Sequence, residues 1–400
     1  MILKLDMVQA AALAVVVLFI GQLIKRKLAV LDKYCIPAPV IGGILFAIMT
    51  LILKQTNVLV FEMDVTLQKF FMTAFFTTIG FTASFTLLKK GGKQVFIFLG
   101  ICVLLVICQD ITGVVFAKIF GLNPLIGLST GSVPMVGGHG TAGAFGPVFE
   151  KAGAVGANTV AMASATFGLI MGSMLGGPIA KKLIDKHNLA PSLKTVKSGA
   201  EVAATKVNDS KKLIPDNFMH ATTQLFIAMG VGTIISYFLE KTGITFPAYI
   251  GAMFAAAIIR NLSDSTKIYK IYADEIDIIG NVALSIFLSM ALMGLKLWQL
   301  ADLALPLIVM LAAQALIIAL FAYFVTFNIM GRDYEAAVMS GGTCGFGMGA
   351  TPNAMANMEA LTQNYGIAPR AFFIVPLVGS LFIDFFNAGI ITTFMNFFVK

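Results

Sequence analysis

Gly137-Gly138-His139-Gly140-Thr141-Ala142-Gly143 and, about half a chain later, Gly341-Gly342-Thr343-Cys344-Gly345-Phe346-Gly347-Met348-Gly349 decide the reading of this sequence. Each cluster follows a long apolar run and precedes another. Irregular backbone at membrane depth survives only where it is buried in protein or lines a wet cavity. A matched pair of glycine-broken segments in two halves of a chain therefore points to the substrate site of a transporter.

Composition agrees with a membrane setting. The chain is 58% hydrophobic and 12% charged, against about 25% charged in a soluble domain, and its mean hydropathy is +0.89. Apolar stretches recur at the length of about twenty residues that crosses ~30 Å of hydrocarbon. They predict spans at 7–24, 36–53, 67–88, 95–119 and 157–180, then at 219–239, 245–260, 278–298, 304–329 and 370–397. The first stretch runs into Lys25-Arg26-Lys27 without a small-residue cleavage site, which predicts an uncleaved span. With the intervening loops assigned alternately, 20 of the 28 Lys and Arg fall on one side. That bias predicts a cytoplasmic 181–217 linker and both termini outside. It also accounts for the +8 net charge without a nucleic-acid partner. Four cysteines (Cys35, Cys102, Cys108, Cys344) lie in or beside apolar runs with no zinc spacing, and read as small buried hydrophobes.

The halves repeat each other. Ile41-Gly42 matches Ile250-Gly251, Glu150 matches Glu359, and Gly138-His139-Gly140 matches Gly347-Met348-Gly349, all at a shift of 209. Gln109 with Phe116-Ala117 matches Gln314 with Phe321-Ala322, and Gly172-Ser173 matches Gly379-Ser380, at shifts of 205 and 207. Five spans per copy is an odd number, so the second copy enters the membrane from the opposite side. The predicted fold is thus an all-α integral membrane protein of ten transmembrane helices in two inverted five-span repeats, residues 1–180 and 218–400.

Residues 121–156 and 333–368 are too broken for ordinary spans and too apolar for solvated loops, which predicts one re-entrant hairpin per repeat. Gly121, Pro124, Pro134, Pro147 and the glycines are expected to interrupt any continuous helix in the first. Helix N-termini meeting there carry partial positive charge and free N–H groups suited to a carboxylate. The competing reading is that the glycines only allow close helix packing. Asp384 lies deep in the last span, where a carboxylate is expected to be functional, and Asn387 shares its face. Asp110 with Gln109 is a second buried polar pair, while Gln314 suits a helix-bridging hydrogen bond. His139 could carry a proton, although its repeat mate is Met348. Thr141, Thr351, Asn353 and Asn357 could offer oxygens to an ion or an amino acid, and Glu150 and Glu359 could simply face solvent. Phosphate loops, HExxH and nucleophile–base arrangements are missing from the sequence, so no enzyme is predicted.

These residues resemble the bacterial sodium/glutamate symporter family over essentially the whole chain. The likeness is carried by Pro37-Ala38-Pro39-Val40-Ile41-Gly42-Gly43, Gly137-Gly138-His139-Gly140-Thr141, Ala165-Thr166-Phe167-Gly168-Leu169, the run Met290 to Trp298, and Cys344-Gly345-Phe346-Gly347-Met348-Gly349-Ala350-Thr351-Pro352. The resemblance implies Na⁺-coupled uptake of L-glutamate across a bacterial inner membrane, with no organic cofactor. It further implies a homodimer with an elevator-like transport domain, and puts the family's hairpin glycines at Gly137, Gly138, Gly140, Gly345, Gly347 and Gly349. Asp110, where some relatives would carry an amide, and the proline of Ser132-Val133-Pro134 depart from the pattern. The expected substrate set is Gly137, Gly138, His139, Gly140, Thr141, Gly345, Gly347, Gly349, Thr351 and Asn353. Asp384 and Asn387, with hairpin carbonyls, are expected to take Na⁺, and Asp110, Gln109 and Asn357 complete the ion set. Spans three to five and their mates are expected to move against spans one, two, six and seven. The rival reading is a proton-coupled transporter of another amino acid or carboxylate, with His139 or Asp384 as carrier.

Overall fold

The structure is a computed structural model that describes residues 2–34, 36–90, 92–189, 215–241, 247, 249–300 and 303–398. Its first half comprises α1 (Met7–Lys27), α2 (Ala38–Gln55), α3 (Thr66–Thr82), α4 (Gly92–Ile119), α5 (Gly138–Lys151) and α6 (Ala157–His187). The second comprises α7 (Pro215–Glu240), α8 (Ile250–Thr266), α9 (Ala273–Met293), α10 (Ala304–Leu320), α11 (Tyr334–Met348), α12 (Thr351–Tyr365), α13 (Pro369–Leu381) and α14 (Ile383–Phe398). Seven of the described helices are long and apolar enough to cross a membrane. An eighth results if α13 and α14, bent by 42° at their junction, form one span. This is an all-helical multi-pass membrane protein. The predicted third and seventh spans, 67–88 and 245–260, overlap α3 and α8, which are 17 residues each, or about 26 Å of helix, and are not among those seven.

Local chemistry sets several boundaries. Asp6 caps α1 by accepting from the Val8 and Gln9 amides, and Gln9 returns the bond to the Asp6 amide. Lys25, Arg26 and Lys27 fill the last turn of α1, where the helix dipole favours cations. At its far end α6 runs through lysine-rich sequence to His187, into the segment expected as linker, whose residues 190–214 lie outside the described set. Two four-residue strands, Ile2–Leu5 and Val60–Met63, pair in parallel with Ile2 opposite Val60, and Lys4 meets Glu62 at 3.5 Å. A search for apolar spans misses this pair, because so short an element carries no span-length signal.

Small residues control the packing. In the crossing of α1 and α2, a Cβ on Gly42 would stand 2.1 Å from the Val17 carbonyl oxygen. The α7–α8 crossing uses the same device, with Gly251 pressed on the Gly232 carbonyl at 2.3 Å from its would-be Cβ. Close backbone approach of this kind replaces the hydrophobic drive that lipid removes. Helices α3 and α9 pack on each other, α3 also on α8 and α9 on α2. That grouping differs from the expectation that the third spans belong with the hairpins, because α3 and α9 bury their apolar faces against the paired first helices.

The remaining helices form a second group: α6 lies along α5, α11 and α12, and α4 packs on α10. An alanine-rich apolar layer separates the groups, with Ala47 of α2 and Ala291 of α9 facing Ala142 of α5 and Ala161 and Ala165 of α6. Prolines interrupt the hairpin segments less than expected. Pro147 lies inside α5 and Pro134 inside the short helix Ser132–Met135. Glycines 341, 342, 345 and 347 likewise stay helical within α11, so the chain breaks only at Gly349–Ala350. Of the cysteines, Cys102 and Cys344 are buried and Cys108 is partly buried, all three free, while Cys35 lies outside the described residues.

Candidate functional site

The two chain breaks meet. Gly138 opens α5 at φ +58°, a left-handed conformation that suits glycine, and a Cβ there would lie 3.4 Å from the Gly349 carbonyl oxygen. Gly349 ends α11, and Ala350, fully extended, precedes α12. Neither α5 nor α12 has a side-chain N-cap. The first amides of α5 are left for solvent or ligand. In α12, Pro352 has no N–H and the Asn353 backbone amide donates to the Ala350 carbonyl, which leaves the amide of Thr351.

Both N-termini border one cavity of about 570 Å³, within the usual range for small-molecule sites. Gly137 to Gly140 form one wall and Gly349 to Pro352 another. Gly379, Ser380 and Asp384 close it at the junction of α13 and α14. The opposite wall is Phe75, Thr78 and Thr82 of α3 with Asn281, Leu284 and Leu288 of α9. Arg260, Asp277, Leu87 and Pro37 also line it. The cavity therefore lies between the two groups of helices.

Of the predicted site residues, Gly137, Gly138, His139, Gly140, Gly349, Thr351 and Asp384 line this cavity. His139 is 5% exposed, and its Nε2 is 3.0 Å from the Thr166 hydroxyl oxygen. Thr166 donates its own proton to the Met162 carbonyl, so Nε2–H is the donor to Thr166. Thr351 donates to the Gly379 carbonyl, tying the second break to the α13–α14 junction. Asp384 sits in the first turn of α14 and makes no ion pair among the described residues.

Thr141, Gly345, Gly347, Asn353 and Asn357 lie in packed protein instead. A Cβ on Gly345 would stand 2.4 Å from the Ala354 backbone, which lets α11 and α12 close into a hairpin. Asn353 donates to the Leu169 carbonyl and the Ser173 hydroxyl, and Asn357 to the Gly172 and Gly341 carbonyls. These amides fasten α12 to α6. Arg370 contacts Asp333 at 2.5 Å, and Tyr334 donates to the Gly366 carbonyl, so the chain ends flanking α11 and α12 lie together.

A polar cluster lies apart from the cavity. Gln109 donates to the Gly347 carbonyl, and Gln314 donates to the Gln109 carbonyl, the expected bridge between α10 and α4. Asp110 accepts from the Ser132 amide at 2.8 Å. Asn387 turns to Ser132 as well, donating to its carbonyl at 3.3 Å, whereas Asp384 faces the cavity. Sequence reasoning missed Thr78, Asn281, Ser380 and Arg260. Asp277 and Asn281 stand one turn apart in the first half of α9 and share a hydrogen bond, a spacing that would have flagged them.

Comparisons with known proteins agree across the chain. The family profile described as sodium/glutamate symporter matches residues 3–367. A sodium/glutamate symporter of Escherichia coli strain K12 is 40% identical over 394 residues, 98% of each chain. One from Haemophilus influenzae is 37% identical over 394 residues, covering 96% of this chain and 95% of its own. These relatives are named as transporters, not enzymes.

Proposed function

The chain belongs to the sodium/glutamate symporter family, and from that premise we propose that it carries L-glutamate into the cell with Na⁺ by alternating access. The observation that carries this reading is the cavity where two helix N-termini without side-chain caps meet beside the carboxylate of Asp384. The free amides of α5, with that of Thr351 at the start of α12, suit the substrate carboxylates. Asp384, at the α13–α14 junction that closes the cavity, suits the substrate ammonium. Sodium offsets the anionic charge of glutamate, so each stabilises the other's bound state.

The chain is read as ten spans in two inverted five-span repeats in a bacterial inner membrane, with termini outside and residues 181–217 cytoplasmic. The matched glycine crossings of α1–α2 and α7–α8 support the repeat. The joined ends of the α11–α12 segment support a re-entrant hairpin. In this topology the lining residues Pro37, Leu87, Arg260 and Asp277 adjoin the cation-bearing loops in sequence, which supports an inward-opening cavity. An elevator-like step then carries the hairpin group across α2, α3, α8 and α9. A homodimer is built through α1 and α7, whose faces are the least covered of the candidate spans, with 22% and 17% of their apolar windows buried.

Labelled L-glutamate uptake into proteoliposomes, under an inward Na⁺ gradient against K⁺ on both sides, tests the reading. Accumulation is expected only with Na⁺ and is competed by unlabelled glutamate. Asp384→Asn is expected to cut uptake about tenfold or more, the scale of about 1.4 kcal/mol. Uptake that follows a proton gradient and ignores Na⁺ sinks the sodium assignment.

A further inference from the structure

We infer that Asp110, Ser132 and Asn387 form a sodium site buried behind the first hairpin and separate from the substrate cavity; this rests on the sodium-coupled reading above. All three are excluded from solvent, at 0%, 0% and 1% exposure. Their polar atoms are spent asymmetrically. Asp110 uses Oδ1 to accept the Ser132 amide, and Oδ2 has no partner. Asn387 uses its amide hydrogens on the Ser132 carbonyl, and Oδ1 has no partner. The Ser132 hydroxyl oxygen has no partner either. Among the described residues, three side-chain oxygens thus have no partner, Ser132's own and one on each of the two residues hydrogen-bonded to its backbone.

Buried polar atoms are normally satisfied, and an orphaned group calls for an explanation such as an ion. A neutral core cannot hold an unpaired carboxylate cheaply. No lysine, arginine or histidine pairs with Asp110 among the described residues. A small hard cation answers both demands, because it takes oxygen ligands only and cancels the charge. The unbonded oxygens of a carboxylate, an amide and a hydroxyl are that type of donor set.

The site also has a structural logic. Ser132 begins the short helix that leads into Gly137 and Gly138. Asp110 belongs to α4 and Asn387 to α14, so one cation would pin the first hairpin to an element from each half of the chain. Asp384, one turn before Asn387, lines the substrate cavity. Filling the buried site therefore fixes the helix that presents the substrate-facing carboxylate. The repeat does not duplicate it, since Ala315 follows Gln314 where Asp110 follows Gln109.

Two readouts on the purified full chain test this. The first is the melting temperature against NaCl, with KCl holding ionic strength constant and no glutamate present. Wild type is expected to gain stability with Na⁺ and not with K⁺, because an ion that binds only the folded state raises it. The second is the Na⁺ concentration for half-maximal uptake in proteoliposomes. Asp110→Asn and Asn387→Ala are expected to abolish the Na⁺-dependent melting shift and raise half-saturating Na⁺ about tenfold or more. Ser132→Ala keeps the buried carboxylate and decides the matter if the other two fail to fold. It should raise half-saturating Na⁺ severalfold while leaving the glutamate KM at saturating Na⁺ unchanged. If wild type takes up glutamate with Na⁺ and the variants keep its melting shift and half-saturation, the site is overturned and the symport reading stands. If wild type shows no Na⁺-dependent uptake, the symport reading itself fails.

Discussion

Gly138 is where backbone conformation and function coincide. Its φ of +58° costs an L side chain about 1–2 kcal/mol, and the space beside it is only ordinary contact distance from the Gly349 carbonyl. Strain, not a clash, is therefore the penalty for any other residue there. Gly138→Ala is expected to reduce the initial uptake rate about five- to thirtyfold at matched expression, the equilibrium weight of one or two kcal/mol. Gly100→Ala provides the control, because Gly100 faces open space on a regular helix. That change should be neutral or slightly stabilising, as alanine loses less backbone entropy. Equal losses from both substitutions, measured as uptake per reconstituted protein, would remove the special status of the hairpin tip. His139, next along, is held by Thr166, and that partner was not legible from a motif that showed only its glycine neighbours.

At the scale of elements, sequence and structure part ways in an instructive manner. The glycine clusters announced two chain breaks and the cavity between them, because glycine and proline signatures are local. What they did not announce was that α11 stays helical through Gly341, Gly342, Gly345 and Gly347. Those glycines make room for neighbours: a Cβ on Gly345 would stand 2.4 Å from the Ala354 backbone, and one on Gly347 2.8 Å from the Ile318 side chain. Packing reasoning and hairpin reasoning are both right, at different glycines of one motif. Ser132 was invisible as a ligand because its partners lie 22 and 255 residues away. The grouping of α3 with α9 depends equally on tertiary contact. Polar residues on α9 follow from that grouping, since Asp277 and Asn281 line the cavity wall. In a cysteine-free background, Asn281→Cys is expected to react with a membrane-impermeant thiol reagent from the cytoplasmic side, and saturating glutamate with Na⁺ should slow the reaction. Labelling from the outside alone contradicts both the orientation and the inward opening.

For the whole molecule, the division into two helix groups matters more than the count of spans. The cavity lies on the seam, so half of any substrate site belongs to each group. In the proposed site, glutamate at the adjoining breaks of Gly138 and Gly349 would contact α5 and α12 together, and Asn353 and Asn357 tie α12 to α6. Motion inside that group would break bonds, whereas motion along the seam need not. The alanine layer on the seam then acquires a mechanical meaning. Phe287, Leu288 and Leu292 also pack there, but Ala47, Ala142, Ala161, Ala165 and Ala291 keep part of the layer smooth, which on the proposed elevator step suits them to act as a low-friction bearing. Ala142→Leu roughens it, and overpacking of that kind costs about 1–3 kcal/mol. Because Ala142 lies outside the cavity lining, the drag should appear as slower turnover at unchanged half-saturating glutamate, a separation that steady-state uptake kinetics reads directly. A transporter whose speed can be set by the width of a methyl group carries its gearing in its smallest side chains.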